Sequence, residues 1–64
     1  MKYFYASVNF HGERKSYSGW GAFRILEQLA NDKIIPDSYL EPRSFANQKL
    51  EQLKTNKIIT LAKL

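Results

Sequence analysis

Apolar and polar residues alternate strictly along the first segment of the chain, Lys2–Phe10. The apolar positions are Phe4, Ala6, Val8 and Phe10, and the intervening positions are Tyr3, Tyr5, Ser7 and Asn9. A period of two is typical of a β-strand with one buried face. Because the apolar face needs a covering layer, we expect this strand at the centre of a small sheet with helices on one side.

The residues after Phe10 predict a turn and a second strand. Gly12 can adopt a positive φ, and its polar neighbours suit a turn at the surface. The next segment, Arg14–Ser18, contains one large apolar side chain, Tyr17, and several charges. It is therefore predicted to be an edge strand whose charges oppose edge-to-edge association.

Apolar residues then recur at helical spacing from about Gly19 to Asn31. They are Ala22, Phe23, Ile25, Leu26, Leu29 and Ala30. This pattern predicts an amphipathic helix, with Ser18 as its N-cap. Trp20 stands between two glycines at the helix entry, and we predict that it is buried because few other side chains are large enough to fill the core.

A loop and a second helix follow. Ile34 and Ile35 precede Pro36, which ends the first helix, and both isoleucines are expected to enter the core from the loop. Residues 37–41 have the spacing of a capping box and predict a single helical turn. The second helix is predicted from Pro42, as its first helical residue, to Thr55. Its narrow apolar stripe consists of Phe45, Ala46, Leu50 and Leu53.

The C-terminal segment, Lys57–Leu64, is rich in β-branched and apolar residues and predicts a strand beside the first one. Asn56 is the predicted left-handed cap of the preceding helix. Ile59 and Leu61 should face the core, with Thr60 and Ala62 on the opposite face. Residues 1–64 thus predict one compact two-layer α+β domain of order ββααβ, with a three-stranded sheet whose N-terminal strand is central.

The amino-acid composition limits the kinds of metal and cofactor site that the chain can form. The 64 residues include no cysteine and one histidine, so disulfide frameworks and ordinary zinc sites are excluded, and no cofactor is expected. No apolar run reaches the length of a membrane span, and Met1-Lys2 leads into a strand instead of a signal-peptide core. We expect a soluble, unprocessed protein of the cytoplasm.

The formal net charge of +4 lies entirely in the last third of the chain. Up to Pro42 five basic residues balance five acidic ones, whereas from Arg43 onward five basic residues face only Glu51. Such a segment could follow a phosphate backbone electrostatically. The candidate phosphate-contacting residues are Arg43, Lys49, Lys54 and Lys57.

Two short segments resemble catalytic or nucleotide sites only superficially. His11, Glu13, Arg14 and Lys15 share one turn, but adjacent turn positions point in different directions and no nucleophile or second histidine accompanies them. The segment Ser16–Gly21 is rich in glycine, yet it matches neither phosphate-loop pattern. We therefore predict no catalytic residue and no enzyme.

Tyrosines on the non-core face offer the better candidate surface. If this face is open, Tyr3 and Tyr5 form a platform for protein contacts or for stacking of nucleic-acid bases. The alternative is that neighbouring side chains, such as that of Tyr17, cover them. The candidate partner-binding residues are Tyr3, Tyr5 and Tyr17.

No family motif is specific enough to name a relative. We predict a small non-catalytic protein-interaction module, regulatory or inhibitory, of the kind found in bacteria or phages, with another protein or a second copy of itself as the partner. The alternative is a non-specific nucleic-acid-binding protein that uses the basic C-terminal third. A membrane partner is not expected.

Overall fold

The computed structural model describes residues 2–64 and confirms the predicted order of elements. The strands are β1 (Tyr3–Phe10), β2 (Glu13–Trp20) and β3 (Thr60–Lys63), and the helices are α1 (Ala22–Asn31) and α2 (Ala46–Thr55). Two short 3-10 turns, Asp37–Leu40 and Arg43–Phe45, connect the helices. The sheet order is β2-β1-β3, with both neighbours of the central β1 antiparallel to it. The predicted α+β class and central N-terminal strand are confirmed.

A two-residue turn sets the register of the hairpin. His11 and Gly12 both have positive φ, 53° and 81°, as a type I′ turn requires. This turn pairs Phe10 with Glu13, and the ladder of paired residues then continues to Tyr3 opposite Trp20. The second strand is consequently longer than the predicted Arg14–Ser18.

The core lies between one face of the sheet and the two helices. Its buried side chains come from β1, β2, α1, α2 and the loops beside them: Phe4, Ala6, Val8, Tyr17, Ala22, Ile25, Leu26, Leu29, Ala30, Ile35, Ala46, Leu50, Leu53 and Ile59. Ile34 and Leu61 pack against this cluster. The predicted core positions of Ile34, Ile35, Ile59 and Leu61 are thus confirmed.

The entry to α1 differs from the prediction. Trp20 is 60% exposed, so its predicted burial is wrong. The hairpin register is the reason, because it places Trp20 on the same face as Tyr3, away from the helices. Ser18 belongs to β2, and the residue before the helix is Gly21, with φ 107° and no side-chain cap. Glycine suits this position because it carries no Cβ.

The region before α2 also departs from the prediction. The turn at Asp37–Leu40 is present, but Pro36 precedes it and no side chain caps it. Pro42 has an extended ψ of 142° and precedes a 3-10 turn, so the α-helix begins at Ala46. Phe45 is exposed and does not belong to the buried stripe of α2.

Both helices end in the same way, with lysine in the left-handed conformation. Lys33 and Lys57 have φ of 63° and 61°. After α2 the Ile58 amide donates to the Leu53 carbonyl and the Lys57 amide to the Lys54 carbonyl, the two bonds of a Schellman motif. The predicted left-handed role of Asn56 is wrong, since its φ is −80°.

Replacing Lys57 by glycine should stabilise the protein. A left-handed conformation costs a residue with a Cβ about 1–2 kcal/mol, whereas glycine loses about 0.5–1 kcal/mol through its greater freedom in the unfolded chain. We expect Lys57→Gly to raise the free energy of unfolding by about 0.5–1 kcal/mol in urea titrations. As a control, Lys54→Gly lies inside α2 and should lower it by about 1 kcal/mol. Equal losses in both variants would contradict the prediction.

Candidate interaction surface

The sheet face opposite the helices carries the exposed aromatic residues. We call it the open face; its residues are Tyr3, Tyr5, Ser7, Asn9, Arg14, Ser16, Ser18, Trp20, Thr60 and Ala62, as the strand register places them. Tyr5 is 47% exposed and Trp20 60% exposed. The sequence left undecided whether the Tyr3/Tyr5 face is open or covered, and within residues 2–64 it is open.

Three aromatic side chains lie at one end of the open face, and Leu64 follows β3 beside them. We call this set, Tyr3, Tyr5, Trp20 and Leu64, the aromatic patch. The rings of Tyr3 and Trp20 meet edge to face, with centroids 4.9 Å apart and an interplanar angle of 69°. The Leu64 amide donates to the Tyr3 carbonyl over 2.8 Å, which places the 81% exposed Leu64 on the other side of Tyr3. The patch thus crosses the whole width of the sheet.

The remainder of the open face is polar and contains a single charged side chain. Arg14 donates through Nη2 to the hydroxyl of Ser7 over 3.1 Å, and Ser7 is buried beneath it. No acidic residue belongs to the set that defines the open face. Two residue pairs of the open face, Ser7–Ser16 and Tyr5–Ser18, lie between Arg14 and Trp20, which are about 20 Å apart along β2.

Tyr17 does not belong to this surface. It pairs with Ala6, lies on the helix side of the sheet and is buried in the core. Its hydroxyl donates to the carboxylate of Asp32, at the end of α1. Burial, with smaller contributions from this hydrogen bond and from the negative charge of Asp32, raises the pKa of Tyr17 from 10.0 to about 12.

This pKa predicts a loss of stability in alkali. A group whose pKa is raised by folding stabilises the protein below its unfolded pKa, and that contribution disappears as pH rises through the folded pKa. The free energy of unfolding should therefore fall between pH 10 and about 12. Tyr17→Phe is the control and should show a smaller fall over this range, when both proteins are unfolded in urea at each pH. Parallel pH profiles would contradict the assignment.

The four candidate phosphate-contacting residues do not form one surface. Arg43 lies before α2 with its guanidinium 4.2 Å above the ring of Phe23. Lys49 donates to the carbonyls of Ser38 and Glu41. Lys54 and Lys57 are exposed at the other end of α2, about 15 Å along its axis. The three lysines lie on the helix side of the sheet, away from the aromatic patch, whereas Arg43 approaches Trp20 of the patch.

The turn that contains His11 brings no catalytic set together. The His11 ring packs on Phe10 with centroids 4.1 Å apart. Glu13 pairs with Lys15 at 4.0 Å, while Arg14 points to the other face of the sheet. Within residues 2–64 we find no group of three potential metal ligands and no helix long and apolar enough to cross a membrane.

A groove runs along the outer edge of β2, next to the aromatic patch. We call it the edge groove; its volume is about 540 Å³, and its lining residues are Ser18, Gly19, Trp20, Arg24, Gln28 and Arg43. The side-chain amide of Gln28 donates to the Ser18 carbonyl over 3.0 Å. Trp20 belongs both to the patch and to the groove, so the two surfaces are continuous.

Sequence reasoning missed Trp20, Arg24 and Leu64 as surface candidates. The signal for Trp20 was present in the turn, because a two-residue hairpin loop at His11-Gly12 fixes which residues face each other across the strands. The proximity of Arg24 to Trp20 follows from how α1 packs on β2, which no local pattern specifies. Comparison of the chain with protein-family models, curated proteins and solved structures found no match.

Proposed function

We propose that this protein is a small non-catalytic interaction module, of a regulatory or inhibitory kind, that binds a partner protein through the aromatic patch. The observation that carries the proposal is that Trp20, Tyr3 and Tyr5 lie outside the core on one open sheet face. Tryptophan and tyrosine dominate the energetic centres of protein interfaces, because each covers a large area at a small entropic cost.

The backbone beneath the patch supports this function. Tyr3, Tyr5 and Trp20 stand on paired strands, so their positions are fixed by the ladder of the central strand. Tyr3 and Trp20 also restrain each other through their edge-to-face contact. Anchors that are ordered before binding lose less entropy when the partner arrives.

The distribution of charge favours a protein partner over the nucleic-acid alternative. A single-strand binding surface combines stacking rings with cations that follow the phosphates. Of the basic residues of the last third, only Arg43 lies near the aromatic patch, and Lys63 forms an ion pair with Glu51. The open face itself contributes one cation, Arg14, at its far end.

The open face is too small to form a stable interface alone, so we expect the partner also to contact a neighbouring surface. Three strands at about 4.8 Å spacing, of which the longest have eight residues at about 3.3 Å each, give a face of at most about 400 Å². A stable specific complex buries about 800 Å² on each partner. A second copy stacked flat on this face would fall short of that area, whereas a partner that also contacts a neighbouring surface would not.

Affinity capture from the host, with matched variants as bait, tests the proposal. One bait is Tyr5→Ser/Trp20→Ser, and the control bait is Phe45→Ser/Ile58→Ser, which removes two exposed apolar side chains outside the open face. We expect the wild type and the control to retain the same protein after nuclease treatment, and the open-face variant to lose it. Light scattering of the purified chain tests for a second copy.

Three results would overturn the proposal. They are a captured protein that all three baits retain equally, a capture that nuclease abolishes, and the absence of any captured protein together with a monomeric chain in light scattering.

A further inference from the structure

Two arginines line the edge groove without a counter-ion. Arg24 comes from α1 and Arg43 from the 3-10 turn before α2. The ion pairs of residues 2–64 join Glu13 to Lys15 and Glu51 to Lys63, and neither involves these arginines. No acidic side chain lines the groove. Two like charges that share a groove favour a ligand that carries negative charge.

Packing holds both arginines at the groove. A Cβ placed on Gly19 would lie 3.0 Å from the Cβ of Arg24, so the side chain of Arg24 starts directly above the glycine of β2. The guanidinium of Arg43 lies 4.2 Å from the centre of the Phe23 ring. Guanidinium groups bind carboxylates through two parallel hydrogen bonds, which gives direction as well as charge.

The backbone of β2 is unpaired on the side of the groove. The hairpin turn closes with a hydrogen-bonded pair, Phe10 and Glu13, and such pairs alternate along an antiparallel ladder. The bond from the Gly21 amide to the Lys2 carbonyl, 3.2 Å, continues this series. The main-chain groups of Ser16, Ser18 and Trp20 therefore point outward. Gln28 occupies only the Ser18 carbonyl, through a flexible side chain.

We propose that the edge groove binds an extended acidic segment of the partner protein, which adds as a fourth strand to β2. Side chains of an added strand alternate between the two faces of the sheet. Those on the helix side would place carboxylates at Arg24 and Arg43, and those on the open side would place apolar groups against Trp20. The recognised segment is thus one in which acidic and apolar residues alternate.

This inference rests on the proposed function and specifies its partner. A strand added along β2 would contact both Trp20 and the groove, and would thus add the buried interface area that the open face alone lacks. It also disfavours a second copy, since the chain carries a net charge of +4 and β3, the other edge strand, contains no acidic residue. An oligonucleotide could meet the arginines, but it could not pair with the β2 backbone.

Titration with a synthetic peptide tests the proposal. The probe is a short capped peptide in which Glu alternates with Val and Leu, and its control has Gln at each Glu. Trp20, the single tryptophan, reports binding by fluorescence. We expect the Glu peptide to bind at low salt, to shift the emission of Trp20 and to slow hydrogen exchange at the Ser16 and Trp20 amides. The Gln peptide should bind about tenfold more weakly.

Matched charge variants separate the groove from general electrostatics. Arg24→Gln/Arg43→Gln should weaken binding of the Glu peptide about tenfold or more. Lys54→Gln/Lys57→Gln removes the same charge at the far end of α2 and should leave binding unchanged. All four side chains are exposed, so both variants should fold, which thermal unfolding verifies.

Three outcomes would overturn the inference: equal loss in the two double variants, equal binding of the two peptides, or unchanged exchange at the Ser16 and Trp20 amides. Tighter binding of oligothymidylate than of the Glu peptide, with the same dependence on the arginines, would also overturn it. Any of these results is compatible with host-protein capture that depends on Tyr5 and Trp20. Loss of that capture would instead remove the proposed function itself.

Discussion

Deleting residues 58–64 is expected to abolish cooperative folding. The segment supplies β3, which pairs with the central strand from Ser7–Thr60 to Phe4–Lys63. It also supplies Ile59, which is 5% exposed in the core, and Leu61, which packs against it. Without it the central strand would expose its unpaired main chain and the core would lose two apolar side chains. A domain of this size has too little stability to absorb such losses.

Alanine substitutions at two adjacent isoleucines also test whether the last segment belongs to the core. Ile59→Ala removes buried methyl groups and should lower the free energy of unfolding by about 2–5 kcal/mol. Ile58→Ala changes a side chain that is 42% exposed and should cost less than about 1 kcal/mol. Thermal and urea unfolding of the truncated chain and of the two alanine variants, each compared with the wild type, measures these losses of stability. A truncated chain with a sharp thermal transition, or equal costs for the two alanine variants, would show that the last segment is peripheral.

Leu29→Ala should destabilise the protein more than Trp20→Ala, although tryptophan is the larger residue. Leu29 is fully buried on α1, and truncation of such a leucine costs about 2–5 kcal/mol because a cavity remains. Trp20 is mostly solvated, so its loss removes mainly the contact with Tyr3, about 0.5–1.5 kcal/mol. Urea unfolding of both variants gives the comparison.

Tryptophan fluorescence provides an independent measurement of the same difference. The folded protein should emit close to the solvent-exposed maximum, and unfolding should shift the emission only slightly, because Trp20 is 60% exposed before unfolding. A strongly blue-shifted emission, together with a greater loss of unfolding free energy in Trp20→Ala than in Leu29→Ala, would show that Trp20 is buried in the core and does not belong to the aromatic patch.

The candidate site was predictable in part. Alternation along the first strand predicted that Tyr3 and Tyr5 lie opposite the core face, and the register confirms it. Tyr17 was grouped with them as a cross-strand neighbour expected on the same face. A shift of one residue in strand register moves a side chain to the opposite face of the sheet, however. Because Tyr17 pairs with Ala6, its side chain lies on the core face.

Sequence patterns were enough to predict the class of fold, the central position of the first strand and most of the core. These features follow from hydrophobic periodicity, since a period of two or of 3.6 residues already assigns each side chain to a face. The tertiary structure brings Arg24 and Arg43 into one groove with Trp20 and leaves the lysines of the last third on the side of the helices. Such proximities depend on how α1 packs across β2 and where the chain turns before α2. Contacts between segments distant in sequence leave no local pattern from which they could be read.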